Sequence, residues 1–335
     1  ASTTSAAAQA KRPMTALDIQ MMRQAGSVAL SPNGQSALYT LSVLDWKEAR
    51  RASDIWIVST TTGVGSERQL TFTKDKNETN PTWAADGSFF VFSSNRDGSG
   101  AAAVNQLYAM RPDGGEARKL TDDKDGVGQF AFTKDGRWLI YSAGKTGEQQ
   151  VWSLAVSDLA GDLPKPVAVT KHRTPVTWWD ISDDSRRLFF VAPDTVDKDN
   201  KDRVEKKFTV KIRNEDIPLN HLWVAELGSK QEKRLTSGAD YSVGGVTQSA
   251  DGRWVAFRGS PNDRYRRTIT EAGSYDDLYL LELASGNVER LTNNAEIGES
   301  PVRFSPDSRW MAFSASNDFT YQRDTRVYLR ETASR

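Results

Sequence analysis

A short phrase returns six times along the chain: a turn built on Asn-Gly, Asp-Gly or Asp-Ser, then a burst of apolar residues. It reads SPNGQSALYT at 31–40, WAADGSFFVFSS at 83–94, FTKDGRWLIYSA at 132–143, ISDDSRRLFFVA at 181–192, QSADGRWVAFRG at 248–259 and FSPDSRWMAFSA at 304–315. Anchored on Asn33, Asp86, Asp135, Asp184, Asp251 and Asp307, the spacings are 53, 49, 49, 67 and 56 residues. Self-similarity at this period marks a repeat architecture in which each unit is one supersecondary element.

Two further marks define the unit. A second apolar stretch follows each of the first five bursts: DIWIVS (54–59), QLYAM (106–110), QVWSLAV (150–156), HLWVAEL (221–227) and DLYLLEL (277–283). A Leu-Thr pair then closes the unit at Leu70-Thr71, Leu120-Thr121, Leu235-Thr236 and Leu291-Thr292, with Val169-Thr170 in the third. The apolar residues of DIWIVS and DLYLLEL outnumber what strict alternation allows, as in strands covered on both faces. Asp and Asn bond their own backbone two residues on, and the Gly that follows accepts positive φ. Four strands per unit result: one before the turn, one after it, the aromatic strand and a short one at Leu-Thr. The fold class is therefore all-β, a β-propeller of four-stranded blades.

Five blades run to completion. The sixth has its turn, its apolar strand and a third strand at 325–331, and lacks the Leu-Thr close. The expectation is a partial sixth blade, part of a seven-bladed ring whose remainder lies in further polypeptide. Residues 1–14 are expected to be a disordered tail or the remnant of an export signal, with Ala8-Gln9-Ala10 matching a signal-peptidase site. A periplasmic or secreted location is the expectation, with a cytoplasmic one as alternative; zero cysteines fit both. Residues 15–25 form a lead-in segment, with Thr15 as helix cap, and 26–335 form the propeller.

Lys plus Arg and Asp plus Glu both number 44, so no net charge favours nucleic acid. No run approaches the roughly 18 apolar residues of a membrane-spanning helix. The ten Trp residues are read as filling between blades.

The opening 140 residues resemble the start of a prolyl oligopeptidase-family serine peptidase, nearest its acylaminoacyl-peptidase and dipeptidyl-peptidase branch. The resemblance is carried by ALDI (16–19), VALSPNG (28–34), RRASDIWIV (50–58), RQLT (68–71), NPTWAADG (80–87), FSSNRDG (92–98) and GGEARKLT (114–121). The blade repeat itself is shared with TolB-like proteins; the lead-in segment followed by RRASDIWIV favours the peptidase. The resemblance implies a propeller that caps an α/β-hydrolase domain and filters peptides by size, the hydrolase bearing a Ser-His-Asp triad. No Gly-x-Ser-x-Gly elbow occurs in this sequence. The two histidines, His172 and His221, have no nucleophile context and read as structural or solvated. No catalytic residue, cofactor or metal is therefore assigned to the chain. Its expected partners are the α/β-hydrolase domain and short peptides. The alternative is a stand-alone TolB-like propeller that binds a partner protein.

Departures from the repeat are where binding is sought. The longest spacing contains 193–220, PDTVDKDNKDRVEKKFTVKIRNEDIPLN. Its first half reads as a charged, solvent-facing stretch, and Asp197-x-Asp199 lacks the Gly and closing Glu of a calcium loop. Its second half alternates like a strand at 208–213 and ends at Glu215 and Asp216. In dipeptidyl-releasing relatives, propeller carboxylates hold the substrate's amino terminus, a role that the resemblance extends to Glu215 or Asp216; a solvated turn is the alternative. The loop 260–276 gathers Arg264, Tyr265, Arg266 and Tyr275, for docking onto the hydrolase or for gripping a substrate carboxylate. The first-blade loop 44–51 offers Asp45, Trp46 and Glu48, as an anchor or as an amine-binding surface.

Overall fold

The computed structural model describes residues 12–47, 49–74, 76–99, 103–161, 163–208, 210, 217–263, 275–294, 297–316 and 324–334. After a capped helix, these residues form six consecutive antiparallel sheets, five of four strands and one of three. The helix is α1 (Ala16–Met21), with Thr15 and Asp18 bonding reciprocally in a capping box. Blade 1 is β1 (Gln24–Leu30), β2 (Ser36–Asp45), β3 (Arg50–Ser59) and β4 (Arg68–Gln69). Its first strand thus begins at Gln24, inside the expected lead-in segment. Blade 2 is β5 (Glu78–Trp83), β6 (Phe90–Ser94), β7 (Gln106–Met110) and β8 (Arg118–Lys119). Blade 3 is β9 (Val127–Phe132), β10 (Trp138–Ala143), β11 (Gln150–Ala155) and β12 (Val167–Ala168). Blade 4 is β13 (Trp178–Ile181), β14 (Arg187–Pro193), β15 (Asn220–Glu226) and β16 (Glu232–Arg234), with helix α2 (Lys198–Glu205) inserted between its second and third strands. Blade 5 is β17 (Tyr241–Gln248), β18 (Trp254–Pro261), β19 (Asp277–Glu282) and β20 (Val288–Arg290). Blade 6 is β21 (Arg303–Phe304), β22 (Trp310–Ser316) and β23 (Thr325–Glu331). This is a β-propeller, as the repeat requires. The chain divides into two compact units between Val127 and Gly128, with blades 1 and 2 in the first and blades 3 to 6 in the second.

The repeated turn is an Asx turn in every blade. The side-chain oxygen of Asn33, Asp86, Asp135, Asp184, Asp251 and Asp307 accepts the N–H two residues on at 3.0–3.1 Å. The residue between has φ of 58–72°: Gly34, Gly87, Gly136 and Gly252, but Ser185 and Ser308 in blades 4 and 6. A serine held in this left-handed conformation is strained. Each returns a bond across a blade junction: Ser185 Oγ accepts Asp135 N–H, and Ser308 Oγ accepts Asp251 N–H, both at 3.1 Å.

The Leu-Thr pair closes each complete blade by one repeated contact. In blade 2, Leu120 N–H donates to the Leu107 carbonyl, and Leu107 N–H donates back to the Thr121 hydroxyl at 2.9 Å. The same double contact joins Leu70-Thr71 to Ile55, Val169-Thr170 to Val151, Leu235-Thr236 to Leu222 and Leu291-Thr292 to Leu278. Both backbone groups of one central third-strand residue are thereby satisfied where no water reaches.

Packing lies between the sheets. On β14, Leu188, Phe190 and Ala192 face the core shared with blade 3, while Phe189 and Val191 face the core shared with blade 5. On β19, Leu281 packs toward blade 4 and Leu278 and Leu280 toward blade 6. In the first unit Leu38, Ile55 and Leu70 meet Phe90, Phe92, Tyr108 and Met110. On β3 only Ser53 and Ile55 are buried; Ile57 packs on the core shared with blade 2 but, like Asp54, Trp56 and Val58, stays partly accessible, so DIWIVS is not covered on both faces. The short apolar runs are therefore what lets each sheet serve two cores at once.

If the hydroxyl clasp holds the blade, Thr170→Val strands the buried Val151 N–H. It is expected to lower unfolding free energy by roughly 1–3 kcal/mol, with Thr170→Ser losing less. Denaturant midpoints of the three proteins check this.

Candidate functional site

Because the Asx turn joins first and second strands, the second-to-third-strand loops emerge at the opposite end of each blade. All three loops singled out from the sequence are of this kind. So are the links from one blade's outer strand to the next blade's first. In the first unit, Asp45 ends β2, and its carboxylate accepts Lys47 N–H at 2.9 Å. Trp46 is 55 % exposed at the tip, so it is not an anchor buried beneath the turn. Glu48 lies outside the described residues. So do Glu215, Asp216, Arg264, Tyr265 and Arg266, and most of the stretch read as a strand at 208–213. Tyr275 is partly buried at the start of β19, next to Asp276, whose carboxylate lies 3.6 Å from Arg258.

The charged stretch at 198–205 is solvent-facing, as the sequence suggested, and folds as a helix with no buried residue. Asp197 caps α2 by accepting Asn200 N–H at 2.8 Å, and an Asp at this position stabilises the first turn. Asp197, Lys201 and Val204 recur at helical spacing and line a cavity of about 570 Å³ together with Lys145, Glu148 and His172. The cavity lies at the loop end of blades 3 and 4. Lys201 Nζ is 3.9 Å from Glu148 Oε1, bringing the helix to the β10–β11 loop. Charges of both signs and apolar Val196, Val204 and Pro218 suit a small dipolar ligand.

Both histidines are built into this end of blade 4. His172 Nδ1 lies 2.8 Å from Glu232 Oε2, while Lys171 N–H donates to the other carboxylate oxygen at 2.9 Å. The imidazole meets Trp223 edge-on at 4.4 Å. Burial alone would raise the Glu232 carboxyl, but the His172 and Lys171 bonds outweigh it and hold it below its ordinary value.

His221 is fully buried and stands where the other complete blades have Asp54, Gln106, Gln150 and Asp277. In those four blades the clasp threonine donates to the side-chain oxygen at 2.8–3.3 Å. By the same pattern Thr236 donates to His221 Nδ1 at 3.1 Å, which leaves Nε2 protonated 3.4 Å from Asp194. Asp194 in turn meets Arg234 at 2.9 Å. Burial lowers the His221 pKa; Asp194 opposes that and Arg234 adds to it.

The first unit carries a buried ion pair that single-sequence reading missed. Glu78, fully buried, accepts from Thr73 Oγ1 at 2.7 Å, Ser94 Oγ at 3.1 Å and Arg96 at 2.8 Å. Arg96 covers the Phe92 and Tyr108 rings at 5.1 and 4.8 Å. Its signal was the SSNRD phrase following the blade's apolar strand. Among the described residues no group of three or more His, Cys, Asp or Glu could hold a metal, and no helix is long and apolar enough to cross a membrane.

No family model matches the chain. Over 131 residues it is 37 % identical to a Bacillus subtilis protein described as an uncharacterized peptidase, covering 39 % of this chain and 19 % of that protein. It is 22 % identical over 321 residues to dipeptidyl-peptidase 5 of Porphyromonas endodontalis, covering 94 % of this chain and 40 % of the relative. The chain thus spans two fifths or less of the length of these relatives. Among solved structures it is similar to the β-propeller domain of the trilobed protease from Pyrococcus furiosus. There the TM-score is 0.56 at 12 % identity, covering 92 % and 83 % of the two chains. A putative dipeptidyl aminopeptidase IV from Bacteroides ovatus gives TM-score 0.56 at 12 % identity, over 87 % and 44 %. These structural likenesses establish the propeller fold, and the sequence matches relate it to proteins named as peptidases.

A histidine kept neutral by burial costs stability once the unfolded chain can take a proton. Stability is therefore expected to fall by up to about 1.4 kcal/mol per pH unit as pH drops below about 6.5, until the folded-state pKa is reached. His221→Gln installs the residue that blades 2 and 3 use at this place. It is expected to fold and to lose that portion of the acid dependence, read from unfolding free energies between pH 5 and 8. An unchanged pH profile would contradict the assignment.

Proposed function

We propose that this chain is the substrate-gating and docking propeller of a serine exopeptidase that acts on short peptides. The α/β-hydrolase half is supplied by other polypeptide of the same gene product. The observation that carries the reading is the match to dipeptidyl-peptidase 5 along 94 % of this chain but only 40 % of that protein. The loop ends of the blades are the functional ends in this reading. Trp46 is an exposed apolar contact there, and the cavity beside α2 offers paired charges for the termini of a short peptide. Segment 264–274, between β18 and β19, supplies docking contacts to the hydrolase. A periplasmic or secreted setting fits the same reading. In the alternative, a TolB-like binding propeller, no hydrolase half exists.

The test compares the 335-residue chain with the full gene product, using a fluorophosphonate label and chromogenic aminoacyl and dipeptidyl substrates. The expected result is labelling and hydrolysis by the full product and neither by this chain. A full gene product that is neither labelled nor active would end the peptidase reading and favour the binding propeller.

A further inference from the structure

The turn that leaves the third strand repeats one bond in blades 1, 4 and 5. Gly63 N–H donates to the Ser59 carbonyl, Lys230 N–H to that of Glu226 and Gly286 N–H to that of Glu282, at 2.8–2.9 Å. The donor residue is left-handed in all three, with φ of 66°, 61° and 73°. Blades 1 and 5 place glycine there, which adopts this conformation freely. Blade 4 places a lysine, whose Cβ makes the same conformation unfavourable. Strain at a position where sister blades avoid it points to a role for the side chain.

That side chain lines a cavity of about 460 Å³ at the Asx-turn end of blades 3 and 4. Arg137, Trp138 and Val167 of blade 3 line it together with Arg186, Glu226 and Lys230 of blade 4. Lys230 Nζ stands 5.5 Å from the centre of the Trp138 ring and donates to the Leu227 carbonyl at 2.6 Å. An ammonium carries three donors, and the other two meet no acceptor among the described residues. Burial holds the Lys230 pKa below the ordinary value for an amine, and no carboxylate offsets it. The other charges of the cavity are placed differently. Arg137 is bonded to Asp135 of its own turn at 2.7 Å, and Arg186 and Glu226 are exposed. The half-buried ammonium is therefore the group whose charge the protein leaves unanswered.

We propose that this turn-end cavity is a binding site for a small organic carboxylate that carries an apolar ring. Lys230 gives the carboxylate a charge-assisted bond, and exposed Arg186 offers a second donor. Trp138 and Val167 take the ring. The volume is that of a small-molecule site. The shared chemistry is that of a free aromatic acid and of an aromatic residue at the carboxyl terminus of a peptide. A bound carboxylate favours the ammonium form of Lys230, so affinity falls as pH rises through the Lys230 pKa. Arg137 and Arg186 stay charged and Glu226 stays ionised over that range. The site stands apart from the peptidase reading, which uses the opposite, loop ends of the blades.

The experiment titrates the 335-residue chain with phenylacetate and, separately, N-acetylphenylalanine, by calorimetry and ligand-observed NMR at constant ionic strength. Phenethylamine and inorganic phosphate serve as controls. Expected is saturable binding of phenylacetate that weakens roughly tenfold or more in Lys230→Gly and declines as pH is raised from neutral. Lys230→Gly installs the residue that blades 1 and 5 use at this place, so it is expected to fold. Arg186→Ala removes an exposed side chain and gives a second variant, expected to weaken binding by a smaller factor. Binding of phenylacetate alone assigns the site to free aromatic acids; binding of both extends it to peptide carboxyl termini. No saturable binding of either acid, or equal binding in Lys230→Gly, would overturn the proposal. So would phosphate or phenethylamine binding as tightly as phenylacetate.

Discussion

The clasp between a threonine hydroxyl and the backbone of a third-strand residue is the contact on which each complete blade depends. A third strand has its neighbours' side chains on both faces, so its backbone groups must be met within the sheet. The outermost strands are only two or three residues long, too short to do this by ladder bonds alone. The Leu-Thr pair solves the problem at one point: leucine N–H gives to a carbonyl, and threonine oxygen takes the N–H of the same residue. The hydroxyl proton is then free to reach the side chain of the residue just before the clasped one. Blade identity is written at that last position, as Asp, Gln, Gln, His and Asp.

Variation at equivalent positions of an otherwise constant unit separates structure from function in this molecule. The Asx turns, the clasps and the interblade cores are nearly invariant among the blades. The opposite ends are not: a pocket lined by charges of both signs beside a helix in blade 4, an exposed tryptophan in blade 1 and a buried carboxylate paired with arginine in blade 2. Substituting His for Gln at the clasp adds a proton-sensitive group to one blade without altering its geometry. A repeat scaffold tolerates such changes because they lie at loop ends, where backbone bonding does not depend on them.

How much of this the sequence disclosed follows from the range of each interaction. The turns were legible because Asp, its N–H partner and the positive-φ residue sit within three positions of one another. The clasp threonines were legible as a spacing, although their partners lie 14 to 19 residues away. Helix α2 was hidden because KDNKDRVE has a single apolar residue and so no hydrophobic period; its Asp197 cap was the available signal. The Glu78–Arg96 pair joins residues 18 apart, and nothing local says that either is buried. His221 read as structural, and its complete burial agrees, but its link to Asp194 spans the whole inserted segment.

The most direct test of the account is hydrogen exchange, followed by mass spectrometry, on this chain alone and within the full gene product. The clasp amides of Ile55, Leu107, Val151, Leu222 and Leu278 serve as the internal reference and are expected to exchange slowly in both. The account expects the added polypeptide to protect the loop ends, around Trp46, α2 and the start of β19, and to leave the Asx-turn ends unchanged. Protection at the turn ends alone, or none at either end, would contradict it.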